Sequence, residues 1–136
     1  RVMKMQDVRL LPPGNAAQVW NLMRSSRLLA LPSRWEGLPY TLLEAMQAGT
    51  PVVAFAVGGM GDVLTSERDG LLAPPGRPRE LAAALGQLLQ DAPKREALAA
   101  AAFERVGDFT LDGMLALTDR VLREVGCGEP VGTRKA

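Results

Sequence analysis

The sequence contains no histidine. That absence excludes Ser-His-Asp triads, imidazole acid–base chemistry and most zinc sites. Any catalysis must rest on carboxylates, backbone dipoles or a basic side chain. Cys127 is the one cysteine, so no internal disulfide can form. This fits a reducing, cytoplasmic compartment. No apolar run approaches the ~20 residues needed to cross a bilayer. Sixteen basic residues against fifteen acidic leave a formal net charge of +1. The basic excess of a nucleic-acid-binding chain is missing, and no such partner is expected. No Gly-x-Gly-x-x-Gly follows a strand-like run and no P-loop occurs, which argues against a dinucleotide oxidoreductase and a P-loop enzyme. No Asp-x-Asp pair calls for a metal, and no cofactor is expected. The first residue is Arg1 rather than Met, and the chain is expected to be a piece of something longer.

What is present suits one compact α/β domain. The 136 residues are 47% hydrophobic and 23% charged, ordinary for a globular protein. Short apolar runs alternate with helical patterns. Val8 to Leu11 reads as a strand closed by Pro12-Pro13-Gly14. Asn15 caps a helix to about Arg24, with Ala16, Val19, Trp20 and Met23 on one face. Leu28 to Leu31 is the next strand. A helix from about Tyr40 to Ala48 stops at Gly49. Pro51 to Phe55 is a buried β-branched run. Gly58-Gly59-Met60-Gly61 is a loop before a short helix near Asp62 to Leu64. Leu71 to Ala73 is a fourth strand.

Three helices are expected after Pro75. Pro78 suits a first turn, with Leu81, Leu85, Leu88 and Leu89 at helix spacing. Pro93 opens an Ala-rich helix through about Val106. Thr110 caps a third, with Met114, Leu117, Val121 and Leu122 on its face. Residues 1–125 are read as one partial domain and residues 126–136 as a flexible tail. Alternating strands and helices predict a Rossmann-like parallel sheet with flanking helices and right-handed crossovers. Ligands bind such sheets at the carboxyl ends of the strands. Glu36 and the Gly58-Gly59 loop both fall at such ends.

Seven residues separate Glu36 from Glu44. Glu36 lies in the loop after a strand, and Glu44 lies in the helix that follows. Pro39 fits the first helical position, where its missing N–H costs nothing. The N–H groups of Tyr40, Thr41 and Leu42 then lack intrahelical partners. With the helix dipole they suit a phosphate. Gly37 lets a backbone approach a ligand closely. The two oxygens of Glu44 match two neighbouring ribose hydroxyls, each charged hydrogen bond contributing about 1.5–3 kcal/mol. Glu36 can accept from sugar hydroxyls on the far side of the phosphates. Leu42, Leu43, Ala45 and Met46 around Glu44 predict an apolar setting, where an unpaired carboxylate is costly.

The segments Pro32 to Pro39 and Leu43 to Val53 resemble the retaining family-four glycosyltransferases of the GT-B fold. The Val57-Gly58-Gly59 loop and the Asp69 to Gly76 segment resemble the same family in order and spacing. The likeness runs from about Val8 to Val125. It implies the C-terminal, donor-binding half of a GT-B architecture. In that family the first glutamate contacts the donor sugar and the second the ribose. Carried over, Glu36 is the catalytic candidate. The donor-binding candidates are Glu36, Gly37, Leu38, Pro39, Tyr40, Thr41, Leu42 and Glu44. Pro12, Gly58, Gly59 and Asp62 are weaker ones, Pro12 beside the nucleotide base. Gly61-Asp62 departs from a frequent Pro-Glu, and Arg77 replaces a frequent Asp, removing a good N-cap. The family's last helix often crosses back toward the first domain. By itself, Thr110 to Val125 also reads as an amphipathic helix capping the sheet.

The resemblance also implies parts that this sequence lacks. The family's opening Gly-rich strand, a second strand, and an Arg and a Lys that neutralise the diphosphate are not found before Val8. Arg27, Arg34 and Arg68 do not stand at matching positions. In the strand order 3-2-1-4-5-6 this chain would supply strands three to six. Its first strand would lack its neighbours.

The expected partners are a nucleotide-sugar donor and an acceptor (a sugar, glycolipid or small molecule) bound by an absent N-terminal domain. Peripheral contact with the inner membrane face would belong to the full-length protein. Two alternatives are a non-catalytic nucleotide-sugar-binding subunit of a split enzyme and a GT-B-like nucleotide-sugar epimerase. A phosphorylase-like enzyme would need a pyridoxal phosphate lysine, and Lys4, Lys94 and Lys135 sit in no plausible site.

Overall fold

The computed structural model describes residues 8–126. The helix α1 (Ala16–Ser25) starts at Asn15, as the sequence predicts. Asn15 Oδ1 accepts from the Gln18 N–H at 3.0 Å, and Gln18 Oε1 accepts from the Asn15 N–H at 2.9 Å. This reciprocal box satisfies two donors that the helix leaves unpaired. The chain then alternates through β1 (Leu29–Leu31), α2 (Tyr40–Gln47), β2 (Val52–Phe55), α3 (Met60–Val63) and β3 (Leu71–Ala73). The helices α4 (Pro78–Gln90), α5 (Ala92–Arg105) and α6 (Leu111–Glu124) follow, with a 3-10 turn at Val106–Asp108 before α6.

The three strands pair in parallel in the order β1-β2-β3. Leu29 stands beside Val52, and Val53 beside Leu71. Every residue of β2 is buried. Successive strand residues point to opposite faces. Val52 and Ala54 accordingly join a core with Met23, Leu42, Ala45, Met46, Met60 and Val63. Val53 and Phe55 join a second with Leu71, Leu81, Leu88 and Leu98. Helices thus cover both faces of the central strand, as in parallel sheets generally. The helix α5 contributes to both cores, through Leu98 on one side and Ala102 on the other.

Three expectations require correction. Val8 to Leu11 forms no strand, and Leu10 is 96% exposed. A strand persists only beside a hydrogen-bonding neighbour, and β1 pairs with β2 alone among the described residues. The separation fits a strand order in which this run is not adjacent to β1. Second, α6 does not cap the sheet. It has no buried residue, and Met114, Leu117, Val121 and Leu122 are all exposed. Third, the short helix begins at Met60 rather than near Asp62. The expected tail lies, from residue 127 on, outside the described residues.

Candidate functional site

The site is built where β1 hands the chain to α2. The strand ends at Leu31, and residues 32–39 cross its carboxyl end as a loop. Pro39 takes φ −74° and ψ 120°, an extended conformation, and stands at the N-cap. This is one position earlier than its sequence suggests. A proline there still fits, because its fixed φ suits an extended residue and it has no N–H to lose. The first turn closes more tightly than an α-helix, and this changes the anion site. Leu42 donates its N–H to the Pro39 carbonyl at 3.0 Å, so that donor is already used. The N–H groups of Tyr40 and Thr41 have no backbone acceptor among the described residues. Both residues are exposed, at the partially positive end of the helix.

Glu44 is exposed, against the apolar setting that its sequence neighbours predict. Consecutive helix residues are rotated by about 100°. Leu42, Ala45 and Met46 turn into the core and are fully buried, while Glu44 faces outward. The carboxylate therefore needs no internal partner. It lines a cavity of about 540 Å³ together with Gly14, Trp20, Met23 and Gln47. A second cavity, of about 520 Å³, is lined by Leu11, Pro12, Gln18 and Leu22, and shares Gly14 and Val19 with the first. Pro12 thus borders the neighbouring cavity rather than the one holding Glu44. Glu36 lines neither. The fold places the two glutamates at opposite ends of one loop-and-helix segment, without gathering them into a single cavity.

The Gly58-Gly59 loop lies directly against the Glu36 loop. Gly59 donates its N–H to the Gly37 carbonyl at 2.7 Å. Gly58 has φ +51°, and a Cβ there would fall 1.7 Å from the Glu36 carbonyl oxygen. Only glycine permits both that backbone angle and that approach. The pair braces the Glu36-Gly37 peptide with backbone atoms. Gly37 itself has room, since a Cβ on it would meet no atom within 4 Å. Its glycine is not required by packing. Leu38 and Tyr40 are exposed along the same segment.

Asp62 sits in α3 with an exposed side chain. The fold uses its carbonyl, which accepts from Arg105 Nη2 at 3.3 Å. Arg34 is exposed. Among the described residues, no three Asp, Glu or Cys side chains gather closely enough to hold a metal ion.

Trp20 and Gln47 were not singled out from sequence as site residues, yet both line the cavity with Glu44. Gln47 had a readable signal, because it stands three residues after Glu44 on the same helix face. Trp20 had none, since its apolar position in α1 is equally that of a core residue.

This is a parallel α/β domain with a loop and a helix start at the carboxyl edge of its sheet, where such sheets bind their ligands. Residues 4–105 match the family described as glycosyl transferases group 1, and the chain belongs to that family. The D-inositol 3-phosphate glycosyltransferase of Jonesia denitrificans is 37% identical over 119 residues, which are 85% of this chain and 28% of that protein. The protein of the same name from Salinispora tropica is 40% identical over 105 residues, covering 77% and 22%. The chain thus spans about a quarter of the length of these relatives. Among solved structures, the sucrose-phosphate synthase of Thermosynechococcus elongatus superposes with a TM-score of 0.70 at 29% identity, covering 79% of this chain and 27% of that one. Anabaena HepE in complex with UDP-glucose gives 0.70 at 27%, covering 78% and 30%. The sheet and its helices are those of the GT-B glycosyltransferases.

Proposed function

We propose that this chain is the donor-binding part of a glycosyltransferase that moves a sugar from a nucleotide sugar to an acceptor with retention of configuration. The observation that carries the reading is the start of α2. Two N–H groups with no backbone acceptor among the described residues, on Tyr40 and Thr41, lie between Glu36 and the cavity-lining Glu44 in the chain. In this reading the two N–H groups receive the diphosphate, and the helix dipole favours its charge. Glu44 takes the ribose hydroxyls at the cavity. Glu36 takes the donor sugar, held in place by the Gly58-Gly59 loop. Gly37 and Leu38 lie along the sugar and phosphates between them. UDP and UDP-glucose bound to HepE make uridine diphosphate sugars the first donors to test.

Catalysis would come from stabilising the departing diphosphate with fixed donors, a charge that develops only as the glycosidic bond breaks. The basic clamp and the acceptor site would be supplied from outside this chain. The reaction as read needs no metal. No helix among the described residues is long and apolar enough to cross a membrane. A cytoplasmic enzyme, with any membrane contact made through its acceptor domain, is part of the same proposal.

The test is a Glu36→Ala substitution in the full-length enzyme. Turnover falls sharply and affinity for the nucleoside diphosphate is retained if Glu36 serves the sugar. A normal transfer rate would remove Glu36 from the site.

A further inference from the structure

We infer that Arg105, at the end of α5, is a positioning residue for the Glu36 loop and acts through α3. The inference rests on the donor-site reading of Glu36. A four-residue helix such as α3 has too few hydrogen bonds to hold itself. Its two ends are fixed from outside. At the front, Gly59 donates to the Gly37 carbonyl at 2.7 Å, and Met60 donates to the Val57 carbonyl at 3.1 Å. At the back, the guanidinium of Arg105 donates from Nε to the Val63 carbonyl at 2.9 Å and from Nη2 to the Asp62 carbonyl at 3.3 Å. A cation at the carbonyl end of a helix is also electrostatically favourable.

The guanidinium is itself held on several sides. Its Nε lies 3.7 Å from Asp69 Oδ2, and Nη1 lies 3.4 Å from Asp108 Oδ2. Its carbon stands 5.4 Å from the centre of the Phe109 ring. Asp69 is 1% exposed, and its Oδ2 has no hydrogen-bond partner among the described residues, so Arg105 supplies the nearby compensating charge. Asp69 Oδ1 accepts from the Thr65 N–H at 2.6 Å, fixing the turn that leaves α3. A continuous path therefore runs from Arg105 through the α3 carbonyls to Gly59, and from Gly59 to the peptide that carries Glu36. Loosening the back of α3 lets the Gly58-Gly59 turn move, and the Glu36 carboxylate with it.

The experiment is Arg105→Lys in the full-length enzyme. Lysine keeps the charge near Asp69 but cannot span two carbonyls with a planar fork. The expected result is a fall in kcat of about tenfold, as small misplacements of reacting groups produce. Affinity for uridine diphosphate stays unchanged, and Glu36→Ala costs less in this background than in the native enzyme. A role in stability alone would lower the melting temperature and leave kcat intact, with the two substitutions additive, and that overturns the inference. If Arg105→Lys yields little folded protein, Arg105→Gln combined with Asp69→Asn removes both charges and carries the same expectation. If Glu36→Ala by itself leaves transfer normal, the donor-site reading falls and this inference with it. If Glu36→Ala slows transfer and Arg105→Lys does not, only the Arg105 role is lost.

Discussion

The Glu36 carbonyl oxygen occupies the space where a side chain on Gly58 would begin, 1.7 Å from an ideal Cβ. The contact joins the loop after β2 to the loop after β1, at the carboxyl edge of the sheet. Gly58→Ala must therefore move one loop or the other. Its φ of +51° adds strain for any residue with a Cβ. The expected loss is about 2 kcal/mol or more of stability, read from the denaturant midpoint. A drop in transfer rate should accompany it at temperatures where the enzyme stays folded.

Gly37→Ala should behave in the opposite way. A methyl group there meets no atom within 4 Å, so stability should change by less than about 0.5 kcal/mol. If the donor lies against this backbone, the same methyl group obstructs it. Weaker binding of the nucleotide sugar with an unaltered melting temperature is expected, measured by calorimetric titration beside thermal unfolding.

Asn15→Ala removes the cap of α1. The Gln18 N–H loses its acceptor, and the reciprocal arrangement goes with it. A cost of about 1 kcal/mol is expected, seen as a lower denaturant midpoint with an unchanged slope. Because Trp20 and Met23 of α1 line the cavity with Glu44, nucleotide affinity should also weaken modestly.

The elements controlled by local chemistry were legible in the sequence. Asn15 starts α1, and Gly49, at φ +69°, follows the end of α2 as its lack of a Cβ allows. Pro78 opens α4, and Arg77 provides no side-chain cap, as its replacement of a capping residue implies. The three paired strands follow their apolar runs to within a residue. The misreadings share a cause. Val8 to Leu11 has the composition of a strand, but composition does not supply a neighbour. Glu44 has apolar neighbours in sequence, but helical rotation sends them inward and the carboxylate outward. Leu42 loses its free N–H because the first turn of α2 closes tightly, with a bond from residue i to the carbonyl of residue i−3. The brace between Gly58-Gly59 and Glu36-Gly37, and the hold of Arg105 on α3, are contacts between distant segments. No local pattern encodes them.

The central claim is that the segment from Glu36 to Glu44 binds a nucleotide sugar, with Glu44 on the ribose. The most direct measurement is calorimetric titration of uridine diphosphate into the full-length enzyme carrying Glu44→Ala. Glu44 is exposed, so the substitution should leave the melting temperature unchanged. Loss of charged hydrogen bonds to the ribose, each contributing about 1.5–3 kcal/mol, should weaken binding by at least tenfold. Unchanged affinity in a folded enzyme would contradict the account.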